Sequence, residues 1–352
     1  MTLAIKLQRV PSAQPSVAFA ARALAIVLAL GVAGLVLAAR GNAPVELAWE
    51  VLNSTFGSSF GLEDVGLLVT PLILTGLSVW VALRIGAWNI GAEGQFYAGA
   101  FSATAVALFI PGPTWLILPV MFIAGALGGL LWILVPTLAR AYADVSELIT
   151  TLLLNFVATL MVYYVATGPW LDPSGHALAT TARLPHDVPE FWGIVHYGFP
   201  LAILLTFVIA GLLNYTRWGY EVRVAGSNPS AALYAGMPFR RRLIVVLLMS
   251  GAIAGIAGML EVAGTVHRLQ GGISNNFGYL GIMVAVLARG SSLGVLAGAA
   301  LMGVILNSGI ILQTQGITVS AVLAITGLIL FFTAIGNELA HYRITRTEPA
   351  AS

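Results

Sequence analysis

The segment Trp88-Asn89-Ile90-Gly91-Ala92-Glu93-Gly94-Gln95 decides the fold, because it places two amides, a carboxylate and two glycines between apolar runs at 65–83 and 96–110. Glycine allows the backbone to leave helical geometry. Non-helical backbone at membrane depth is tolerated only where it is buried in protein or lines a cavity. A carboxylate at that depth is costly and faces a pathway or a partner. The segment therefore predicts a discontinuous helix beside a translocation route.

Composition places the chain among polytopic membrane proteins. Of its 352 residues, 59% are hydrophobic and 9% charged, whereas soluble domains carry about 25% charged residues. The net charge of +2 argues against a nucleic-acid partner, and the chain has no cysteine. The five histidines show no metal-ligand spacing, so neither a metal nor a cofactor is expected.

Lys6 is the only lysine in the chain. A Walker A loop needs a lysine that reaches the nucleotide phosphates, so the chain is not expected to hydrolyse ATP. Any ATP dependence must come from a partner subunit.

Apolar runs of about 20 residues are long enough to cross a bilayer as helices. The sequence predicts an all-α protein with ten spans, near 22–39, 65–83, 88–110, 115–138, 147–168, 197–213, 243–263, 278–290, 293–312 and 317–336. The first run is interpreted as a span rather than a signal-peptide core, because it is longer than such cores and Arg40 follows it. The third and eighth spans are candidates for discontinuous helices.

Basic residues set the orientation, since cytoplasmic loops carry an excess of lysine and arginine. With the N-terminus inside, the outer loops hold Arg40, Arg183 and Arg268, and the other basic residues fall inside. Both termini are then cytoplasmic. Spans 1–5 and 6–10 run in opposite senses, which predicts one transmembrane domain over 1–352 with inverted halves at 22–168 and 197–336.

Two groups of polar residues are candidates for function. Residues 147, 151 and 155 share one helix face, although Glu147 could equally be a dipole partner at a helix N-terminus. The predicted pathway residues are Asn89, Glu93, Gln95, Thr151, Asn155, Asn275 and Asn276. Glu261 is expected to pair with Arg268, and the Gly-x-x-x-Gly pairs at 125/129, 251/255 and 294/298 are expected to pack helices closely.

Three elements resemble the permease subunits of ABC importers in the branched-chain amino acid, ribose and nucleoside group, and most closely the larger permease of bacterial nucleoside systems. The first is Asn89–Gln95, and the second comprises Ser146, Glu147, Ile149, Thr151, Leu154 and Asn155. The third comprises Gly226, Asn228, Pro229, Ala231, Ala232, Tyr234 and Gly236. This third element also resembles the coupling loop of ABC permeases, but Ser230 stands where those loops have a glutamate.

The resemblance implies a multi-pass subunit of the bacterial inner membrane that moves a nucleoside or a simple sugar by alternating access. It implies a cytoplasmic ABC ATPase, a second, shorter permease chain and an outer solute-binding lipoprotein as partners. The basic loop 214–242 would be the coupling loop, with Asn228, Ala231, Ala232, Tyr234 and Gly236 meeting the ATPase. An ion-coupled secondary transporter with inverted repeats is the alternative, although such a protein should hold several membrane acids.

Overall fold

The computed structural model describes residues 4–9, 15–174, 179–288, 290–339 and 342–347. The described residues are predominantly helical. The helices are α1 Pro15–Ala39, α2 Pro44–Phe56, α3 Ser59–Leu83, α4 Ala92–Phe109, α5 Thr114–Ala143, α6 Glu147–Thr167, α7 Gly198–Tyr215, α8 Arg217–Ser227, α9 Pro229–Tyr234, α10 Phe239–Glu261, α11 Phe277–Leu287, α12 Ser292–Thr314 and α13 Val319–Leu339. A π-helical turn, Val262–Val266, continues α10. Four short strands are β1 Ala4–Arg9, β2 Glu190–Trp192, β3 Val195–His196 and β4 Tyr342–Thr347.

The chain is a polytopic helical membrane protein, as the composition predicts. A helix overlaps each of the ten predicted spans. Among the described residues, seven helices are long and apolar enough to cross a bilayer, and α11 is a shorter apolar helix. The third helix begins later than predicted, at Ala92 instead of Trp88, whereas the eighth begins at Phe277, one residue before its predicted start. The backbone at 84–91 is non-helical before α4, and residues 267–276 are non-helical before α11.

The described chain forms two compact units. The larger comprises 59–304 and the smaller comprises 1–58 with 305–352. In the smaller unit, α1 packs against α13, and Ala29, Ala33, Ile325 and Ile329 contribute to its apolar core. The terminal strands β1 and β4 pair antiparallel, with Lys6 opposite Thr345.

The larger unit is built around α3 and α10, which are buried along most of their length. The helices α5, α6 and α7 bury one face each and leave apolar residues exposed, as expected of helices that meet lipid. The close packing of α10 on α4 and α5 depends on glycine. A Cβ on Gly258 would collide with the Phe96 carbonyl, and one on Gly129 would collide with that of Gly251.

The first two predicted glycine pairs therefore pack against each other, which confirms that part of the sequence interpretation. Gly125 also faces Gly255, since a Cβ on Gly125 would lie 3.2 Å from the Gly255 carbonyl oxygen. The third pair faces the α11 region instead, since a Cβ on Gly298 would lie 3.3 Å from the Val284 carbonyl oxygen. Backbones that approach this closely gain dispersion contacts, which drive helix association in lipid.

Candidate functional site

The polar segment before α4 is held by Asn155 of α6. The Asn155 Oδ1 atom accepts a hydrogen bond from the Gly94 amide at 2.9 Å, and its Nδ2 donates to the Ile90 carbonyl at 2.9 Å. Nδ2 also lies 3.2 Å from the Tyr279 hydroxyl of α11. One buried side chain thus satisfies a backbone group just before α4 and another in its first turn, and it reaches the start of α11.

Asn89 and Gln95 form a reciprocal amide pair. Asn89 Nδ2 donates to Gln95 Oε1, and Gln95 Nε2 donates to Asn89 Oδ1, both at 2.8 Å. Asn89 Nδ2 also donates to the Ser250 hydroxyl of α10 at 2.8 Å. Ser250 and Ser78 of α3 in turn donate to each other's carbonyls, at 2.7 and 2.8 Å. These buried bonds join the polar segment to the contact between α3 and α10.

Glu93, in the first turn of α4, contacts the first turn of α11. Its Oε2 accepts a hydrogen bond from the Gly278 amide at 2.8 Å, in the first turn of α11. A carboxylate placed at a helix N-terminus satisfies a free amide and interacts favourably with the helix dipole. The sequence indicated only that this carboxylate would face a pathway or a partner, and in the structure its partner is the Gly278 amide.

The predicted pathway residues separate into two groups. Asn89, Glu93, Gln95, Thr151 and Asn155 are buried, and each makes hydrogen bonds within the chain. Asn275 and Asn276 are exposed, with left-handed φ angles of 46° and 64° before α11. In this conformation the buried side chains bond to one another, to backbone groups near the starts of α4 and α11 or, for Thr151, to the carbonyl of Glu147 in its own helix.

Glu147 contributes more than a helix-dipole contact. It accepts a hydrogen bond from the Trp88 amide at 3.4 Å and pairs with Arg140 of α5 at 3.1 Å. Glu147, Thr151 and Asn155 are all buried, which confirms that they share the inward face of α6. Sequence reasoning missed Ser78, Ser250 and Tyr279, since single hydroxyl residues in apolar runs carry no pattern.

The predicted coupling segment forms a short helix, α9. Asn228 caps it, accepting from the Ala231 amide at 3.0 Å, and Gly236 follows with φ of +72°. Tyr234 is 94% exposed, whereas Ala232 is fully buried against its own chain. Ala232 therefore holds α9 in place, and its side chain is not a surface contact.

The α8 helix links this segment to the polar site. A Cβ on Gly86 would lie 3.2 Å from the Gly226 carbonyl oxygen, and one on Gly226 would lie 2.9 Å from the Ile85 Cα. Gly86 itself has a φ of +76°, which favours glycine. The end of α8 thus touches the turn that leads directly into Trp88 and Asn89.

The predicted pair of Glu261 and Arg268 does not form. Arg268 pairs instead with Asp172 at 3.0 Å, on the loop after α6. Buried Glu261 lies 3.4 Å from the Thr265 hydroxyl, and the π-helical turn at 262–266 separates it from Arg268. The segment 181–188 is hydrogen-bonded to the π-helical turn and to the residue after it. The Leu184 amide donates to the His267 carbonyl, and the Val188 amide donates to the Ala263 carbonyl.

His196 of β3 contacts the π-helical turn. Its Nδ1 accepts from the Gly198 amide at 3.0 Å, and its Nε2 lies 3.4 Å from the Thr265 hydroxyl. Burial, with a smaller contribution from His267, lowers the pKa of His196 to about 4. The imidazole is therefore neutral at physiological pH.

Comparison with known proteins places these features in a family. A family model described as the permease component of branched-chain amino acid transport systems matches residues 61–334. The chain is 32% identical to the glucose ABC transporter permease protein TsgB13 of Haloferax volcanii, over 93% of this chain and 90% of that protein. It is 31% identical to the guanosine ABC transporter permease protein NupP of Bacillus subtilis, over 80% and 82%. It is 29% identical to the nucleoside ABC transporter permease protein NupB of Lactococcus lactis, over 89% of each. No solved structure matches the chain.

Proposed function

This chain belongs to the family of permease components of branched-chain amino acid transport systems, and we propose that it is the membrane subunit of an ATP-driven importer of a neutral polar solute. Permease subunits of such ABC systems are not ATPases, and the ATP-binding subunit is a separate chain. Family membership also implies association with a solute-binding protein. A second, shorter permease chain, as the sequence resemblance implies, completes the proposed assembly.

One observation carries the proposed mechanism: two discontinuous helices meet end to end through polar groups. Glu93 of α4 bonds to the α11 amide of Gly278, and Asn155 reaches Tyr279. Non-helical backbone at membrane depth is costly unless protein or a water-filled cavity satisfies it. Binding sites of alternating-access transporters commonly lie at such breaks. We therefore assign this junction to the closed pathway, and its opening would free Asn89, Gln95 and Asn155 for a solute.

The packing supports a five-plus-five inverted repeat. The second predicted span of each half packs on the third predicted span of the other half. Thus α10 packs on α4, and α3 packs on α11. Glycines line both contacts: Gly258 and Gly99 line the first, and Gly76 and Gly281 line the second. Gly258 follows Gly76 by as many residues as Gly281 follows Gly99. These equivalent contacts are expected when two halves are related by a pseudo-two-fold axis.

Cytoplasmic termini in a bacterial inner membrane are part of the proposal. The antiparallel pairing of β1 with β4 brings the two ends of the chain together. That pairing requires an even number of crossings, which fits ten. The excess of arginine on the same side favours the cytoplasm for both ends. The loop containing α8 and α9 is then cytoplasmic, where Asn228, Ala231, Tyr234 and Gly236 would present α9 to the ATPase.

The solute class rests on chemistry and on the relatives. The polar groups of the junction are amides and hydroxyls, apart from Glu93, which already accepts from Gly278. Amides and hydroxyls suit a hydroxyl-rich neutral solute. The similar proteins are named for glucose, guanosine and nucleosides, so we propose a nucleoside or a simple sugar.

Uptake into vesicles would test the proposal. The complete assembly would be supplied with binding protein and a panel of nucleosides, free bases and sugars. We expect uptake of one class that stops when the ATPase subunit is inactivated and continues when ionophores collapse ion gradients. Uptake that continues without ATP hydrolysis and stops with an ionophore would instead establish the ion-coupled alternative.

A further inference from the structure

A cavity of about 710 Å³ lies between the last turn of α5 and the segment that joins α9 to α10. Its apolar wall includes Tyr142, Leu233, Met237, Phe239 and Leu243. Its charged lining is formed by Arg140, Arg240 and Arg241 and by Asp144, which pairs with Arg140. The cavity is thus amphipathic, with an apolar wall and a basic rim.

The cavity lies at headgroup depth. The 30 residues of α5 extend about 45 Å at about 1.5 Å per residue. A bilayer with its headgroups is about 40–45 Å thick, so Arg140 in the last turn of α5 lies at an interface. Val135, one turn nearer the hydrocarbon, is 68% exposed, and Val245 on α10 is also exposed. An apolar surface therefore runs from the cavity toward the lipid tails.

Two of the arginines are available to an anion. Arg242 pairs with Glu221 at 2.6 Å, and Arg140 pairs with Asp144 and Glu147. In the part of the chain that the structure describes, no carboxylate lies within ion-pair distance of Arg240 or Arg241. The Arg240 guanidinium lies over the Tyr142 ring at 5.0 Å, which holds it at the rim of the cavity.

We propose that this cavity binds an anionic phospholipid of the leaflet at this end of α5, with the phosphate at Arg240 and Arg241 and an acyl chain along Val245 and Val135. Basic pockets between spanning helices on the cytoplasmic side suit such headgroups. A free phosphate would leave the apolar wall exposed, whereas a phospholipid covers both parts. The bound lipid would contact Leu233 of α9 and so lie beside the proposed coupling segment.

The test measures lipid binding, so it does not depend on transport. The purified full-length chain would be placed in phosphatidylcholine nanodiscs and titrated with phosphatidylglycerol that carries a photoreactive group in one acyl chain. We expect cross-links to peptides that contain 135–142 and 239–245. Arg240→Gln and Arg241→Gln should each weaken binding about fivefold, the factor for about 1 kcal/mol per basic residue near a charged surface.

Arg217→Gln is the matched control. Arg217 is an exposed arginine on the same side of the chain, away from the cavity, so its replacement should leave the binding constant within about twofold, because a distant charge adds little through salt. An equal loss in Arg217→Gln would mean a general surface field and would overturn the site. Competition by millimolar glycerol phosphate would identify a soluble phosphate as the ligand. Release of the lipid by one equivalent of the ATPase subunit would identify the cavity as a protein dock. Either result would refute the lipid assignment.

Discussion

Replacing Asn155 with alanine tests whether the polar junction is held in place by this side chain. The change removes the acceptor for the Gly94 amide and the donors to the Ile90 carbonyl and the Tyr279 hydroxyl. It leaves the buried Gly94 amide and the partly buried Ile90 carbonyl without these partners, beside a non-helical segment. We expect the folded protein to become less stable, because water cannot easily reach those groups.

The size of the loss follows from the number of groups. An unsatisfied buried polar group costs about 1–3 kcal/mol, which gives about 2–6 kcal/mol for two groups. Measured interhelical hydrogen bonds in membranes average only about 0.6 kcal/mol. That value applies where both partners find alternatives, which the fixed turn at 90–94 does not offer. We therefore expect a loss near the lower end, about 2–3 kcal/mol.

Thermal unfolding of the purified chain in detergent would measure the effect at a fixed scan rate, since such unfolding is often irreversible. A loss of about 2–3 kcal/mol corresponds to a fall in Tm of about 3–4 °C, because the unfolding entropy of a 352-residue chain is about 0.7 kcal/mol/K. Asn214→Ala, at an exposed position near the end of α7, is the matched control and should change Tm little. An unchanged Tm for Asn155→Ala would refute this reasoning, because the Gly94 amide and the Ile90 carbonyl would then not depend on this side chain.

The packing and the charges support three further predictions. Because the pKa of His196 falls from 6.5 to about 4 on folding, the unfolded chain binds the extra proton, and stability should be lost as pH falls from about 6.5 toward 4. The free energy of unfolding should fall by about 2 kcal/mol by pH 5. His196→Gln should flatten this part of the pH profile, and an unchanged profile would contradict the role of His196. Gly258→Val should prevent folding, since its side chain would meet the Phe96 backbone, whereas Gly211→Val, where a Cβ meets nothing within 4 Å, should fold normally. Gly236→Trp should uncouple ATP hydrolysis from uptake while the chain still inserts, and normal stimulated ATPase activity with normal uptake would contradict the coupling role of α9.

The sequence predicted the elements of the fold better than their contacts. Apolar length located the helices, because the bilayer fixes how many residues a span needs. The glycine pairs at 125/129 and 251/255 located the close approach of α5 and α10, but no pair predicted the approach of Gly258 to Phe96. The partners of Glu261 and Arg268 were predicted wrongly because a π-helical turn changes the direction of the chain after residue 261, and neighbouring opposite charges gave no sign of it.

The polar residues show the same limit in predicting contacts from the sequence. Their presence in apolar runs signalled an important site, but the pattern could not distinguish a residue that meets a solute from one that satisfies broken backbone. Asn155 and Glu93 satisfy backbone in this conformation. Whether these residues bind solute or backbone in an open conformation depends on the contacts of that conformation. Residue types alone do not encode those contacts.

The contact between Gly86 and Gly226 suggests how ATP hydrolysis could act on that equilibrium. The α9 helix follows α8 with Asn228 as the single residue between them, so a displacement of α9 by a partner would move Gly226. Gly226 lies against the turn at 84–86, and Trp88 and Asn89 follow that turn. Glu147 anchors the Trp88 amide from α6, and Arg140 of α5 holds Glu147. A shift at Gly226 would therefore pull the polar segment against a fixed anchor. Because the Asn89–Gln95 pair and the Glu93–Gly278 bond lie just beyond, a small movement at α9 would strain the bonds that keep the junction closed.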